Sequence, residues 1–297
     1  MQVCDIQTDG QRREKTVHGS PAFPCAAYDE RFSAFIGHEV PWHWHEELEA
    51  VIVCEGRTLA ECCNQRFLLR PGDGILINAN ALHRFTRHSR EDCRIINLVF
   101  HPLLLGGTEQ SLVYRRYLLP LLADEGFAAL PLSPAVPWQA DALELLRSAF
   151  GFCSRQGEGY PLLTQAALLA FWQRVAANRP GAPLPRAQGQ PGQDRIKKML
   201  AYIAGHYREK LEVSQLAAAA NISQSECYRC FQRCLGVSPI RYLLQYRLQK
   251  AARLLRQTSL PVAAVCSEAG FSHPSYFAAQ FQQLYGCSPS AFRRQVV

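Results

Sequence analysis

Residues 262–277 read Val262-Ala-Ala-Val-Cys-Ser-Glu-Ala-Gly270-Phe-Ser-His-Pro-Ser-Tyr-Phe277. Small apolar residues at helical spacing come first, then Gly270 and Phe271, then Ser272 ahead of a second apolar-periodic run. Glycine accepts the positive φ of a tight turn, serine caps a helix, and small side chains let two helices cross closely. This is the pattern of a helix-turn-helix, and it occurs twice. Leu216-Ala-Ala-Ala-Ala-Asn221-Ile-Ser223 matches it at an offset of 49 residues, and Phe231, Gly236, Ser238 and Pro239 match Phe281, Gly286, Ser288 and Pro289 at an offset of 50. Helices are expected over 195–206, 213–220, 224–235, 239–257, 262–269, 274–285 and 289–295. They predict an all-α module, residues 194–297, in which the second helix of each copy can enter a major groove about 12 Å wide.

The same module carries the charge. Residues 194–297 hold 14 Lys+Arg against 5 Asp+Glu, whereas residues 1–193 hold 18 against 20. A positive excess confined to the last third points to a polyanion there and to another task for the front. In the first copy Cys227, Cys230, Phe231 and Leu235 make the buried stripe, which turns Ser225, Tyr228, Arg229 and Gln232 outward as candidate base readers. Arg229 can grip guanine O6 and N7, a contact worth roughly 1–3 kcal/mol of discrimination. Arg233 and Lys250 suit phosphates. In the second copy Phe277, Phe281 and Leu284 are the expected stripe, leaving Pro274, Ser275, Ala278 and Ala279 outward. That face has no charge and should read shape and methyl groups, so the first copy is expected to carry most of the specificity. Cys227-x2-Cys230-x3-Cys234 lacks the second ligand pair of a zinc finger, and its first two members fill core positions. Cys234, at the edge of the stripe, is the one to test for reactivity.

Working outward, the 297-residue chain is long enough for about two domains. With 48% hydrophobic and 19% charged residues its composition is that of globular protein, which excludes wholesale disorder. Residues 179–193, RPGAPLPRAQGQPGQ, read as a linker behind a front domain of residues 1–178. In that domain short β-branched and aromatic runs at 26–36, 47–54, 58–62, 74–77 and 95–100 predict a sandwich or barrel. Amphipathic helices at 112–122, 139–152 and 162–177 follow; the last two would form a dimer seam or cover the barrel. The amino terminus lacks an apolar signal region, no run approaches a membrane span, and most of the 12 cysteines are scattered singly. A cytoplasmic location with reduced thiols and no membrane association is expected.

One segment of the front domain has metal-ligand spacing: Gly37-x5-His43-x-His45-x3-Glu49-x6-Gly56. On one extended strand His43, His45 and Glu49 share a face, and His83 follows Arg70-Pro-Gly-Asp-Gly74 and its strand. Three imidazoles and a carboxylate offer a divalent metal such as zinc an N3O set with room for a further ligand. The same four residues could instead line a metal-free effector pocket, or be satisfied structurally. Trp42 and Trp44 have the opposite parity and are expected to pack outward under a loop or helix, with stacking on an effector as the alternative.

Residues from about 195 to 295 resemble the AraC/XylS family of transcription regulators, through the 262–277 segment, Phe281 and Tyr285-Gly286-Cys-Ser-Pro289. The histidine segment resembles the first cupin motif; the second is partial, with Asn78 and Asn80 where Pro and Gly are usual. The resemblance implies two helix-turn-helix units braced by a long helix at 239–257, reading successive major grooves of double-stranded DNA. Where the family usually has a basic or polar residue this chain has Ala279, and Gln282 where lysine is common, which fits a weaker second reading helix. It further implies a cupin-like barrel that binds a small-molecule effector, a homodimer, and an activator that contacts RNA polymerase rather than an enzyme. The rival reading is a metal-dependent cupin oxygenase or isomerase on a nucleic-acid tether, with His43, His45, Glu49 and His83 as ligands. A third is an effector-independent architectural DNA binder.

Overall fold

The computed structural model describes residues 6–63, 65–124, 126–178 and 191–294. They fall into two compact units, Met1–Thr8 with Arg13–Pro191, and Asp9–Arg12 with Gly192–Val297.

The front unit is built on β1 (Cys25–Arg31), β2 (Glu39–His43), β3 (Leu48–Glu55), β4 (Thr58–Cys62), β5 (Gln65–Leu69), β6 (Gly74–Ile77), β7 (His83–Arg87), β8 (Arg94–Phe100) and β9 (Ala129–Leu132). Its antiparallel sheets run β1-β8-β3-β6-β9 and β2-β7-β4-β5. Between them lies one core, with Val51, Val53, Ile75, Ile77 and Phe85. The alternate residues of the same strands, Ala50, Ile52, Leu76 and Leu98, lie in a second core with the helices. β3 is therefore buried on both faces, which is why residues 50–54 read as an unbroken apolar run. After β8 come α1 (Leu103–Gly106), α2 (Leu119–Leu122), α3 (Pro137–Arg155) and α4 (Tyr160–Asn178). α3 contributes Ala142, Leu143 and Leu146 to the second core and α4 adds Leu168, Phe171 and Val175, so the pair covers its own barrel.

Several boundaries differ from the sequence reading. The first strand ends at Arg31, where Phe32–Ala34 turns into a 3-10 helix and Gly37 takes a φ of 74°. The histidine segment is not one strand: β2 ends at His43, residues 44–47 turn, and β3 starts at Leu48. β5, β7 and β9 had no counterpart among the expected runs. β5 and β7 alternate too many polar residues to stand out, and β9 pairs with β6 from far along the chain. The helix expected at 112–122 is present, but it widens into a π-helix at Tyr114–Leu118 before α2, next to Pro120, which has no N–H to continue a regular ladder.

The second unit contains α5 (Pro191–His206), α6 (Val213–Ala219), α7 (Gln224–Leu235), α8 (Pro239–Gln257), α9 (Val262–Glu268), α10 (Pro274–Tyr285) and α11 (Pro289–Arg294). α5 starts four residues before Arg195, so the anticipated linker is helical at its end; residues 179–190 lie outside the described residues. Both turns take the expected backbone, but only the first serine caps its helix: α10 has His273 at its N-cap with no side-chain cap bond, so Ser272 stands one residue too early and Pro274 opens the helix. Asn221 has a φ of 54° and Gly270 one of 84°. A Cβ on Gly270 would stand 2.5 Å from the carbonyl oxygen of Tyr207. The Ser223 hydroxyl accepts from the Glu226 N–H at the start of α7, and Gly236 closes that helix in the left-handed region. Phe231, Tyr242, Phe277 and Phe281 are buried between the helices. Arg247 of α8 donates to the carbonyls of Tyr207 and Glu209, both at 2.7 Å.

Candidate functional site

In the second unit the first repeat presents its residues as the periodicity requires. Cys227, Cys230, Phe231 and Leu235 are buried, whereas Ser225, Tyr228, Arg229, Gln232 and Arg233 are exposed. Lys250 lies on α8, half-buried, with its ammonium 5.3 Å from the centre of the Tyr246 ring. In the second repeat Pro274, Ser275 and Ala279 are exposed and Ala278 is half-buried. Leu284 is a correction: it is exposed, because the stripe continues from Phe277 and Phe281 to Tyr285, whose ring lies 4.6 Å from Phe281 and 5.2 Å from Phe292. A step of four residues from Phe281 reaches Tyr285, and Leu284 falls at the other edge of the stripe, about 100° from Tyr285.

The outward face of α7 holds one group the periodicity argument passed over. Glu226 Oε2 lies 2.8 Å from Arg229 Nη2, and its Oε1 accepts from Arg233 Nη2 at 2.7 Å. Burial opposes its charge; Arg229 and Arg233 together outweigh that and hold the carboxyl below the usual glutamate range. The spacing Glu226-x2-Arg229-x3-Arg233 was the available signal, since residues three, four and seven apart share a helix face.

In the front unit the break between β2 and β3 does not disperse the cluster. His43 ends β2 and pairs with His83 at the start of β7, His45 sits in the turn, and Glu49 lies on β3 facing the inner core. One ligand atom from each of the four falls within 4.8 Å of the others, and all four side chains are buried. The orientation of each ring is set by its other nitrogen. His43 Nδ1 bonds to the Pro41 carbonyl at 2.9 Å, His45 Nδ1 to Glu47 O at 3.1 Å, and His83 Nδ1 to Ala81 O at 2.8 Å. With Nδ1–H donated to a carbonyl, each Nε2 is left as a lone pair. Glu49 Oε1 accepts from Asn97 Nδ2 at 2.7 Å, and its Oε2 lies 2.9 Å from His83 Nε2 and 3.6 Å from His45 Nε2. The Nε2 atoms of His45 and His83 and Oε2 of Glu49 nevertheless have no hydrogen bond among the described residues. Buried acceptors facing one another without a donor are unfavourable unless a cation stands between them.

The electrostatics agree. Burial and the neighbouring His83 push His43 down to about 3, so it stays neutral. Burial also works against a proton on His83, but the Glu49 carboxylate reverses this and raises it. Glu49 lies well below its usual range despite burial, through His45 and His83. A positive charge is favoured at this point, as a proton or as a metal ion.

The cavity alongside measures about 20 Å³. One water needs roughly 10–15 Å³ and an organic ligand roughly 300–1,000 Å³. Further ionisable groups that sequence reading missed line it. Glu14 Oε2 is 3.5 Å from His18 Nε2 and 3.7 Å from His43 Nε2, and His18 Nδ1 meets the Tyr28 hydroxyl at 2.9 Å. Burial opposes the Glu14 charge, but His18 and His43 hold its carboxyl down to about 2. On the remaining wall burial, Glu49 and Glu14 push Glu30 up to about 8. Trp42 and Trp44 are both buried, Trp42 beneath the Arg84 guanidinium and Trp44 beneath the amino-terminal segment, whose Glu14 N–H donates to the Trp44 carbonyl.

Comparison with known proteins places both halves. The AraC-like ligand binding domain family matches residues 31–172, and a helix-turn-helix domain family matches residues 216–295. The chain is 29% identical to YdeC of Bacillus subtilis, an HTH-type transcriptional regulator, over 96% of this chain and 97% of that one. It is 25% identical to RclR of Escherichia coli, an RCS-specific HTH-type transcriptional activator, over 77% of this chain and 78% of that one. A crystal structure of a ToxT variant from Vibrio cholerae aligns with 94% of this chain and all of its own at 12% identity, with a TM-score of 0.46. The chain thus belongs to the AraC/XylS family of transcription regulators, with an effector-binding domain in front of a DNA-binding helix-turn-helix domain.

Proposed function

We propose that this regulator is a cytoplasmic homodimer, without catalytic activity, whose front domain of residues 1–178 holds one divalent transition-metal ion on His43, His45, Glu49 and His83. The observation that carries this is the set of three imidazoles whose Nδ1 atoms are tied to carbonyls while their Nε2 atoms converge, with Glu49 Oε2, on one buried point. An N3O donor set of this kind suits zinc or another borderline ion. The adjoining space, about 20 Å³, suits an ion with a water better than an organic substrate, which supports this reading over the oxygenase one. Residues 194–297 are the DNA-binding domain, joined through 179–193. Ser225, Tyr228, Arg229 and Gln232 read base edges, Arg233 and Lys250 meet phosphates, and Pro274, Ser275, Ala278 and Ala279 follow groove shape.

Elemental analysis of the gently purified protein tests the cation. We expect about one ion per chain in the wild type and none in His83→Ala; equal, substoichiometric metal in both would overturn the reading. For the DNA face, Arg229→Ala should relax preference at one base, whereas Arg233→Ala should weaken all duplexes alike. Footprints unchanged by Arg229→Ala would remove Arg229 as the reader.

A further inference from the structure

The reading helix of the first repeat carries three charges that the second lacks as a set. At the 50-residue offset Glu226, Arg229 and Arg233 are replaced by Tyr276, Ala279 and Gln283. The carboxylate is therefore present where the two arginines are and missing where they are missing. It is shared between them: Oε2 pairs with Arg229 and Oε1 with Arg233, each through Nη2. Both guanidiniums sit on the exposed face of α7, one turn apart.

Without the carboxylate, two like charges on long flexible side chains would repel one another and each would settle on whatever phosphate it met. That is affinity without sequence information. With it, the Arg229 guanidinium is held before DNA arrives, so less side-chain freedom is lost on binding. A negative charge next to Arg229 also disfavours a phosphate at that guanidinium, whereas guanine O6 and N7 are neutral acceptors and can take its free edge. We propose that Glu226 is a specificity-determining residue, a carboxylate that positions Arg229 for base edges and withholds it from indiscriminate phosphate contact. The inference rests on the reading face assigned under Proposed function.

The test uses the full-length protein and two duplexes, one selected by the wild type from random DNA and one of scrambled sequence. Binding is followed by fluorescence anisotropy across a salt series for wild type, Glu226→Gln, Glu226→Ala and Arg229→Ala, with circular dichroism and melting to confirm that each is folded. Removing the negative charge should tighten binding to the scrambled duplex by roughly three- to ten-fold, lower the selected-to-scrambled ratio at least as much, and steepen the logarithmic salt slope by about 0.9. Glu226→Gln and Glu226→Ala should agree in all three directions. An unchanged ratio in both variants overturns the proposal, as does an equal loss on both duplexes with an unchanged slope, which is what a merely helix-supporting residue would show. A wild type that selects no sequence, or an Arg229→Ala protein that keeps every base preference, would instead strike the reading-face assignment itself and take the role of Glu226 with it.

Discussion

At the scale of single residues, the cation cluster owes its geometry to hydrogen bonds that reach only two positions along the chain. His43 and His83 bond to the carbonyl two residues before, and His45 to the carbonyl two residues after. Such short tethers fix ring orientation whether or not the proposed ion is bound. The longer support, Asn97 to Glu49, comes from the neighbouring strand. Asn97→Ala should therefore weaken cation affinity by about 10–100-fold while the protein stays folded, which competition with a chelating dye would measure. In the second unit Gly270 is under two constraints, a left-handed backbone and the Tyr207 carbonyl 2.5 Å from where a Cβ would stand. Gly270→Ala should cost at least about 1–2 kcal/mol and lower the melting temperature, whereas Asn221→Gly should be nearly neutral. An unchanged melting temperature for Gly270→Ala would contradict this turn geometry.

Among the elements, β1 and β8 are joined by a surface ion pair as well as by their ladder. Arg94 donates to both carboxylate oxygens of Asp29, at 2.8 and 2.7 Å. The bonds from Arg94 lower the Asp29 carboxyl, against a small burial effect. A carboxyl lowered on folding stabilises the protein above its unfolded pKa, near 3.9, and loses that contribution as pH falls through the folded value. The pair is partly exposed, so Asp29→Asn should cost no more than about 1 kcal/mol at pH 7. The gap in urea midpoint from wild type should shrink below about pH 4; a gap that grew on acidification would contradict the sign. α4 poses a different question. Its inner side packs in the core, yet Leu162 and Leu169 on the outer side are 71% and 37% exposed.

For the whole molecule, that outer side is the seam we propose for the proposed homodimer. Leu162→Glu combined with Leu169→Glu should shift sedimentation from dimer to monomer at micromolar concentration without lowering the melting temperature. A double variant that still sediments as a dimer would place the seam elsewhere. Among the described residues no helix is long and apolar enough to cross a membrane.

The helix-turn-helix pairs were legible in the amino acids because a turn, a cap and a helical stripe depend on neighbours within a few positions. α7 and α8 begin at their capping serines, and α7 and α10 end at Gly236 and Gly286; Ser272 alone does not cap, because α10 starts from His273. The ion pairs of Glu226 were equally local and could have been read from spacing alone. His43, His45 and Glu49 were recognisable as a set, although the single strand supposed to carry them is two strands and a turn. Tertiary packing alone settled the remainder. Glu14, His18, Asn97 and Glu30 reach the cavity from an amino-terminal segment and from β8 and β1, through pairings between strands distant in sequence. Side-chain periodicity states which face a residue takes within its own element. Which element it then meets depends on how the sheets close, and that is a property of the folded chain as a whole.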